Sequence, residues 1–354
     1  MKDKIITYLF IFYIFIFSLL HLVIKDKDIS ENERRELSTF PVVSFNNEYI
    51  TKLDKYLLDH FPLRENFRSL KANYNYHILN KLENNQIYLK NNSIYKSNYP
   101  TDKESIKYFI NHINKTKKYF TDNNRVYSMI IPDKNYYLYD EDFLHIDYDY
   151  IYGEINKLDI GNIDLRNVLN NDDYYQTDTH WRQEKLDKVV RSIINNLDFK
   201  YQKILYETNI YDNFYGVYYG ESAINRKPEQ LIYLSNNIID NVEVSYLENK
   251  NLKEVYNTDK LSSLDSYEVY LDGASSFIEI VNNNINEDRE LVIFRDSFAS
   301  SLSPLLINYY SKITLIDNRY INSNNYLKLI EFNNQDIIFM YSTLLVNNSN
   351  SLKN

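Results

Sequence analysis

From about residue 104 onward, the sequence predicts an α/β fold with a parallel sheet flanked by helices. Four short apolar runs have the length and composition of buried strands. They are residues 126–131, 291–294, 313–316 and 337–341. Amphipathic stretches at residues 299–310 and 325–331 separate the last three runs and predict helices. Alternating strands and helices favour a parallel sheet, because each helix returns the chain across the sheet.

The N-terminal run from residue 5 to 24 has no charged side chain and is about 20 residues long, enough to cross a bilayer as one helix. A cleaved signal peptide would need a shorter apolar core and a small-residue cleavage site, which the segment 18–22 lacks. We therefore interpret residues 1–24 as an uncleaved, single-pass signal anchor. Its flanking charges do not fix its orientation, because Lys2 and Lys4 compete with cations beyond residue 24.

Residues 25–103 are predicted to form a membrane-proximal segment. Its first part, residues 30–37, is highly charged and is interpreted as a polar linker. An amphipathic helix follows and ends at Pro62. The apolar residues that recur at helical spacing in it are Ile50, Leu53, Leu57 and Phe61. Residues 87–95 form two strand-like runs about an Asn-Asn-Ser turn, which predicts a hairpin.

The α/β domain is predicted to span residues 104–346. Between about residues 200 and 285, Tyr-rich runs and polar turns interrupt the alternation of strands and helices. This segment, which contains Gly216, Gly220 and Pro228, predicts a β-rich insertion. The polar residues 347–354 predict a disordered tail.

Composition excludes some functions. The chain has 354 residues, a net charge of −9 and no dense Lys/Arg run, which argues against a nucleic-acid partner. Its five glycines form no Gly-rich loop of the kind that cradles nucleotide phosphates. The absence of cysteine is compatible with an oxidising exterior and does not establish one.

Ser297 is the candidate nucleophile. It follows an apolar strand and precedes a predicted helix, the place where an α/β fold exposes side chains at the carboxyl ends of its strands. The free N–H groups of the helix would lie near a developing oxyanion there. The alternative is structural, since Asp296 or Ser297 could simply cap the helix.

His180 is the candidate base, in an Asp-Thr-His-Trp run that also precedes a helical stripe. Asp178 could orient its ring and Trp181 could form a wall of the pocket. The alternatives are a helix cap or a two-ligand metal site, although no second His or Cys cluster completes such a site in the sequence. The two runs together supply a hydroxyl, an imidazole and a carboxylate, which favours a catalytic triad of Ser297, His180 and Asp178.

These residues resemble those of the DHHW family. The run 178–181 is similar to the tetrad that names the family, with Thr in place of the first His. The order of Asp-x-His and a later Asp-Ser-Phe resembles that of the alginate O-acetylation proteins related to SGNH hydrolases. Further blocks that resemble the family's are residues 30–35, 59–64, 131–134 and 316–320.

The resemblance implies an SGNH hydrolase-like α/β fold with permuted element order, because His180 precedes Ser297. It also implies the triad named above and the transfer of acetyl groups on or off extracellular polysaccharide. We expect Arg319 to contact substrate or oxyanion, Tyr320 to stack on a sugar and Lys134 also to contact substrate. Their alternative role is pairing with acidic neighbours. Arg295 stands where the Gly-Asp-Ser motif has Gly, and the usual Gly and Asn oxyanion blocks are not found.

The leading functional hypothesis is a membrane-anchored polysaccharide O-acetyltransferase with an extracytoplasmic body. It would form an acetyl-serine at Ser297 and need no metal or bound cofactor. The acetyl donor would come from a multi-pass membrane acyltransferase, and the anchor would keep the two proteins close. The alternatives are an acetyl esterase that uses the same residues, and a non-catalytic carbohydrate-binding component of an export complex.

Overall fold

The structure, a computed structural model, describes residues 2–138, 143–248, 252–285 and 288–354. The chain divides into two compact units. One consists of Met1–Asn85 with Tyr219–Arg226, and the other of Gln86–Tyr218 with Lys227–Asn354.

Helices of the first unit include α1 (Lys2–Val23), α2 (Asn47–Asp59) and α3 (Arg64–Asn73). Residues 4–23 of α1 are long and apolar enough to cross a membrane, as a membrane anchor or a signal sequence would be. Asn46 begins α2 by accepting a hydrogen bond from the amide of Tyr49. The predicted amphipathic helix is thus observed as α2, whereas the sequence analysis missed α3 and the π-helical turn Tyr74–Ile78 that continues it.

The charged segment 30–37 is more than a polar linker. Strands Ile29–Ser30 and Arg35–Glu36 pair in an antiparallel arrangement. Arg35 donates to the buried carboxylate of Asp59, which also accepts from the amide and hydroxyl of Ser38. The hydrogen bond from Arg35 holds the pKa of Asp59 well below its ordinary value. The many charged residues of segment 30–37 predicted a solvent-exposed linker, because the sequence alone does not show that Asp59 is the partner of Arg35.

The second unit is built on a mixed, mostly parallel sheet, as the α/β prediction requires. Its seven strands are β1 (Arg125–Ile131), β2 (Gly161–Asn162), β3 (Glu243–Tyr246), β4 (Phe277–Val281), β5 (Glu290–Arg295), β6 (Lys312–Ile316) and β7 (Asp336–Ser342). Their order across the sheet is β3-β4-β6-β5-β7-β1-β2. Strand β5 pairs in parallel with both β6 and β7, and β7 pairs in parallel with β1. Among the strands in the described ranges of this sheet, only β4 runs opposite to its neighbours, β3 and β6.

Helices cover both faces of this sheet, because successive residues of its strands point to opposite sides. Leu291 and Ile293 of β5 pack with α6 (Asp187–Asn196) and α8 (Phe298–Leu306) in one core. Val292 and Phe294 pack on the other face with α4 (Lys103–Thr116) and α5 (Tyr148–Ile155). All four of these strand residues are at most 1% exposed, so β5 is buried on both sides.

The segment 200–285 is only partly an insertion. Strands Glu207–Phe214 and Glu229–Ser235 form a separate antiparallel pair, with α7 (Val217–Ser222) between them. Strands β3 and β4 also lie in this segment but join the central sheet. The predicted hairpin is observed as Ile87–Lys90 paired with Ser93–Lys96.

The C-terminal tail is ordered, contrary to the expectation for residues 347–354. Leu352 is 2% exposed and belongs to the core shared with α4. The amide of Ser349 donates to the hydroxyl of Ser105 in α4. The predicted helix at 325–331 is reduced to one turn, α9 (Ser323–Tyr326), and α10 (Thr343–Val346) follows β7. Polar composition misled the prediction because a few buried contacts suffice to order a short tail.

Candidate active site

Ser297 lies between β5 and α8, at the N-cap position of the helix. Its own side chain makes no capping hydrogen bond. The cap is Asp296 instead, whose Oδ1 accepts from the amide of Phe298 at 3.1 Å and whose Oδ2 accepts from the amide of Ser342 at 2.7 Å. The hydroxyl of Ser297 is therefore available for another partner. Its backbone is in the ordinary right-handed region, with φ −65° and ψ −20°.

That partner is His180. The distance between His180 Nε2 and Ser297 Oγ is 2.7 Å, and that between His180 Nδ1 and Asp178 Oδ1 is also 2.7 Å. The three side chains are thus joined in one hydrogen-bonded series, with the imidazole in the centre. The side chain of Asp178 is 2% exposed and that of His180 is 13% exposed. A largely dry carboxylate facing a partly accessible imidazole suits proton transfer from a serine hydroxyl.

Backbone donors hold the carboxylate of Asp178 in this orientation. Oδ1 accepts from the amide of His180 at 2.9 Å, and Oδ2 accepts from the amide of Val217 at 2.8 Å. The backbone at Gly216 packs closely against the segment that carries Asp178. An added Cβ at this position would lie 2.3 Å from the carbonyl oxygen of Thr177 and 2.4 Å from Cβ of Asp178. Only glycine fits there without displacing the segment that carries Asp178.

A second layer of contacts secures Thr177. Its hydroxyl donates to Glu229 at 2.6 Å and accepts from the amide of Gly216 at 2.9 Å. Glu229 also accepts from the amides of Gln176 and Thr177 and pairs with Arg182 at 2.7 Å. The segment after the first strand of the separate antiparallel pair and the first residue of its second strand therefore converge on the carboxylate end of the site.

Aromatic rings pack against the imidazole of His180. The ring of Tyr267 stacks on His180 with centroids 3.9 Å apart and planes 10° apart, and Phe298 packs at 4.9 Å. The hydroxyl of Tyr267 donates to Ser301 in α8 at 2.8 Å. Burial raises the pKa of Tyr267 well above its ordinary value, so the stacked ring is a neutral phenol.

Trp181 does not line an open pocket. It is completely buried, and its indole N–H donates to Ser301 Oγ at 2.9 Å. Its ring meets Phe298 edge to face at 5.3 Å. The expectation that Trp181 binds substrate is therefore wrong. Trp181 instead contacts α8 from within the core, where its ring is buried and its N–H has a hydrogen-bond partner.

Lys134 is also buried, at 2% exposure, and does not present its amino group to a cleft. Nζ donates at 3.1 Å to the carbonyl oxygens of Tyr175 and Gln176, which immediately precede the segment of Asp178. Burial lowers the pKa of Lys134 to about 7, opposed by the charge of Asp178. The expected substrate contact is thus replaced by support of the loop.

Arg319 and Tyr320 lie beyond the carboxyl end of β6. Arg319 forms a bidentate pair with the buried Asp317, at 2.9 Å from Nε and 2.6 Å from Nη2. Although burial opposes the charge, hydrogen bonding to Asp317 raises the pKa of Arg319, and the charge of Asp296 acts in the same direction. Tyr320 is 48% exposed. The structure therefore shows acidic pairing for Arg319 and leaves the ring of Tyr320 accessible; substrate contact by either residue stays a prediction.

Arg295, which replaces the familiar Gly, is 1% exposed. Its guanidinium donates to the hydroxyl of Ser300 at 2.8 Å and to the carbonyl of Ser275 at 3.3 Å. Burial lowers its pKa. Arg295 thus links the turn between β5 and α8 to the backbone of Ser275 by a hydrogen bond.

The metal interpretation of Asp-x-His gains no support from the geometry. Both ring nitrogens of His180 are engaged, one by Asp178 and one by Ser297. Across the described ranges, no group of three or more His, Cys, Asp or Glu side chains is arranged to hold a metal ion.

Sequence reasoning missed several residues of this site. Tyr267 lies in an unremarkable Ser-Tyr-Glu-Val run, and nothing local marks it as the partner of His180. Glu229 likewise gives no signal. Gly216 did give one, because glycine is rare in this chain, but the predicted meaning was a turn in an insertion.

The fold is a mixed α/β architecture, with a mostly parallel central sheet flanked by helices. No protein-family model matches the chain, and no curated protein matches it. Solved structures do match. A DHHW family protein from Eubacterium siraeum aligns with a TM-score of 0.64 at 17% identity, over 77% of this chain and 97% of its own. The resemblance to the DHHW family is thereby confirmed at the level of fold.

PatB1 from Bacillus cereus has a similar fold. One structure aligns with a TM-score of 0.60 at 19% identity, over 76% of this chain and 97% of PatB1. Another, solved with a sulfonyl adduct, aligns at 0.59 and 18% identity over 73% and 97%. The O-acetyltransferase domain of Pseudomonas putida AlgJ aligns at only 0.46 with 9% identity over 74% and 92%, and no argument rests on it.

Proposed function

We propose that this chain is a membrane-anchored O-acetyltransferase whose body lies outside the cytoplasm and acts on an exported or cell-wall polysaccharide. The single observation that carries the proposal is the pair of 2.7 Å contacts that His180 makes with Ser297 and Asp178. These contacts support the proposal because they join a hydroxyl, an imidazole and a carboxylate in one series, the set of groups that acyl transfer through a serine requires.

In the proposed first half-reaction, Ser297 Oγ attacks the carbonyl carbon of an acetyl donor while its proton passes to His180 Nε2. Asp178 stabilises the imidazolium that forms. The tetrahedral intermediate then expels the donor's leaving group, which takes the proton from His180. The product is acetyl-Ser297 with the imidazole neutral again.

In the second half-reaction a sugar hydroxyl replaces the donor. His180 Nε2 accepts the hydroxyl proton as the sugar oxygen attacks the acetyl carbonyl, and the proton then passes to Ser297 Oγ as the acyl bond breaks. The amino terminus of the nine-residue helix α8 favours negative charge beside Ser297, which supports the oxyanion in both steps. The proton transfers in both steps use the side chains of Ser297 and His180.

The proposed localisation and partner follow from α1. As an uncleaved anchor, α1 would keep the body at the outer face of the membrane, where a multi-pass acyltransferase could deliver the acetyl group. Tethering both proteins to one membrane raises the effective concentration of donor at Ser297. The exposed ring of Tyr320, together with Arg319, is proposed to meet the sugar acceptor.

PatB1, with its similar fold, has been solved with a sulfonyl adduct, and sulfonyl fluorides react with activated serines. The test therefore treats the full-length chain with phenylmethylsulfonyl fluoride or 4-nitrophenyl acetate and measures intact mass. The variants are Ser297→Ala and, as a control, the exposed Ser351→Ala. We expect one adduct in the wild type and in the control, and none in Ser297→Ala.

Adding oligosaccharide then separates the two enzymatic hypotheses. Transfer of the acetyl group to sugar supports the transferase, whereas loss to water at the same rate with or without sugar supports the esterase. Equal labelling of Ser297→Ala and wild type, or no labelling of either, would overturn the proposal and favour a carbohydrate-binding role.

A further inference from the structure

The first unit exposes apolar side chains along one face of α3 and its π-helical continuation. Five of them recur every three or four residues, which places them on a single stripe. These residues, here called the α3 stripe, are Leu63, Phe67, Leu70, Tyr74 and Ile78, with exposures of 56%, 38%, 64%, 51% and 65%. The opposite side of α3 packs inward, where Ala72 is completely buried. The helix therefore faces the protein with a small residue and the surroundings with large ones.

Helix α2 carries a second stripe. Ile50, Leu53, Leu57 and Phe61 follow helical spacing, and Ile50 is 61% exposed. The two stripes meet where the rings of Phe61 and Phe67 lie 5.7 Å apart. A soluble surface seldom leaves so many large apolar residues in continuous rows, so this face needs an occupant.

The contacts of α1 indicate what that occupant is. The ring of Phe17 stacks on Phe61 at 5.3 Å and lies 5.7 Å from Phe67. Phe17 precedes Ile24, the end of the apolar run, by seven residues, which corresponds to about 10 Å along a helix axis. If α1 spans the bilayer, the meeting point of the stripes is therefore held below the level of the headgroups, at a depth typical of interfacial helices, which bury their apolar face by roughly 5–10 Å.

Charge favours the same occupant. Residues 47–81 contain six Lys and Arg against four Asp and Glu; Arg64 and Arg68 pair with Glu33, and the four lysines are exposed. Local positive charge beside an apolar face is typical of helices that bind anionic lipid surfaces.

We propose that α2 and α3 lie in the lipid–water interface, with both stripes buried at the boundary between headgroups and acyl chains. The first unit then holds the membrane by an embedded surface in addition to a single spanning helix. This inference rests on the proposed anchoring by α1 and is independent of the catalytic proposal.

The natural absence of cysteine allows a direct test, because a single introduced cysteine can carry a nitroxide with no background. The full-length chain is reconstituted in vesicles of phosphatidylcholine and phosphatidylglycerol, with labels at Leu70→Cys, Ile50→Cys and Leu9→Cys. The control is Lys52→Cys, which lies on α2 roughly opposite Ile50 and has a side chain 62% exposed. Electron paramagnetic resonance measures collisions with lipid-soluble oxygen and with a water-soluble nickel chelate.

We expect the labels at Leu70 and Ile50 to collide mainly with oxygen, as the label at Leu9 does, and the label at Lys52 to collide mainly with nickel. Stripe labels that meet nickel as readily as Lys52, while Leu9 remains in lipid, would overturn the interfacial proposal alone. Stripe labels shielded from both reagents would indicate a second copy of the chain as the occupant and would also overturn it. A water-exposed Leu9 would overturn this inference and the anchor together, whatever the outcome of acyl labelling at Ser297.

Discussion

Replacing Asp178 by Asn removes one negative charge while keeping the shape of the side chain. Both carboxylate oxygens accept hydrogen bonds, from Nδ1 and the amide of His180 on one side and from the amide of Val217 on the other. An Asn side chain has only one acceptor oxygen, and its NH₂ donates. In one orientation the NH₂ group of the new side chain faces the N–H of Val217, so two donors oppose each other. In the other orientation the NH₂ group donates to Nδ1 of His180, and the proton of the neutral imidazole then lies on Nε2. In the second case Nε2 cannot accept the proton of Ser297.

The expected cost is large because water cannot substitute for the lost charge at a side chain that is 2% exposed. In a Ser-His-Asp site, exchanging the carboxylate for an amide lowers the rate by about 10⁴-fold. This factor corresponds to about 5 kcal/mol of transition-state stabilisation. The acylation step should show the loss, since that step requires deprotonation of Ser297.

Stopped-flow release of 4-nitrophenolate from 4-nitrophenyl acetate measures acylation of the full-length chain directly. The matched control is Asp159→Asn, which removes the same charge from an exposed position. A thermal melt of each variant reports whether the fold is retained. If Asp178→Asn melts like the wild type and acylates as fast as the control, the carboxylate does not assist His180 and the catalytic argument is refuted.

Two further predictions concern the support of this site. Gly216→Ala should lower the rate of acylation by about 10²-fold, because the new Cβ must displace Thr177 and the segment of Asp178. The control Gly153→Ala has open space around its Cβ and should leave the rate unchanged. Stopped-flow measurement of acylation compares the two variants. For Lys134, the unfolded chain keeps its proton up to the ordinary pKa of 10.5, while the folded protein loses it near pH 7. The stability of the wild type should therefore rise relative to Lys134→Met by up to about 5 kcal/mol as pH increases from 7 to 10.5. Denaturant unfolding of both proteins across this range measures the difference, and a constant difference would contradict the assigned burial.

The strands that could be predicted are those whose local composition determines their burial. The four apolar runs became β1, β5, β6 and β7 because strands covered on both faces admit few polar residues. The direction of β4 has no such signal, since an antiparallel strand and a parallel one can share the same sequence. Likewise, the C-terminal tail is ordered because Leu352 packs in the core that contains α4, and the local sequence does not show this contact.

The same distinction applies to the site. Asp178, His180 and Ser297 could be nominated because their chemistry and their positions before helices are visible locally. The accessibility of Trp181 and Lys134 could not, because burial is a property of neighbours that are distant in the sequence. Tyr267 stacks on His180 across such a distance, so only the folded chain associates the two.

At the start of α8, capping the helix and presenting a free hydroxyl fall to two different residues, Asp296 and Ser297. Asp296 caps α8 and links the ends of β5 and β7, so the turn does not depend on the hydroxyl beside it. Because the backbone of Ser297 is also unstrained, the position should accept alanine or cysteine with the loop unchanged. Under the proposed mechanism, an alanine form would hold an intact donor and a cysteine form would carry the acetyl group as a thioester. The architecture thus makes this protein suited to trapping successive states of a reaction on one rigid frame.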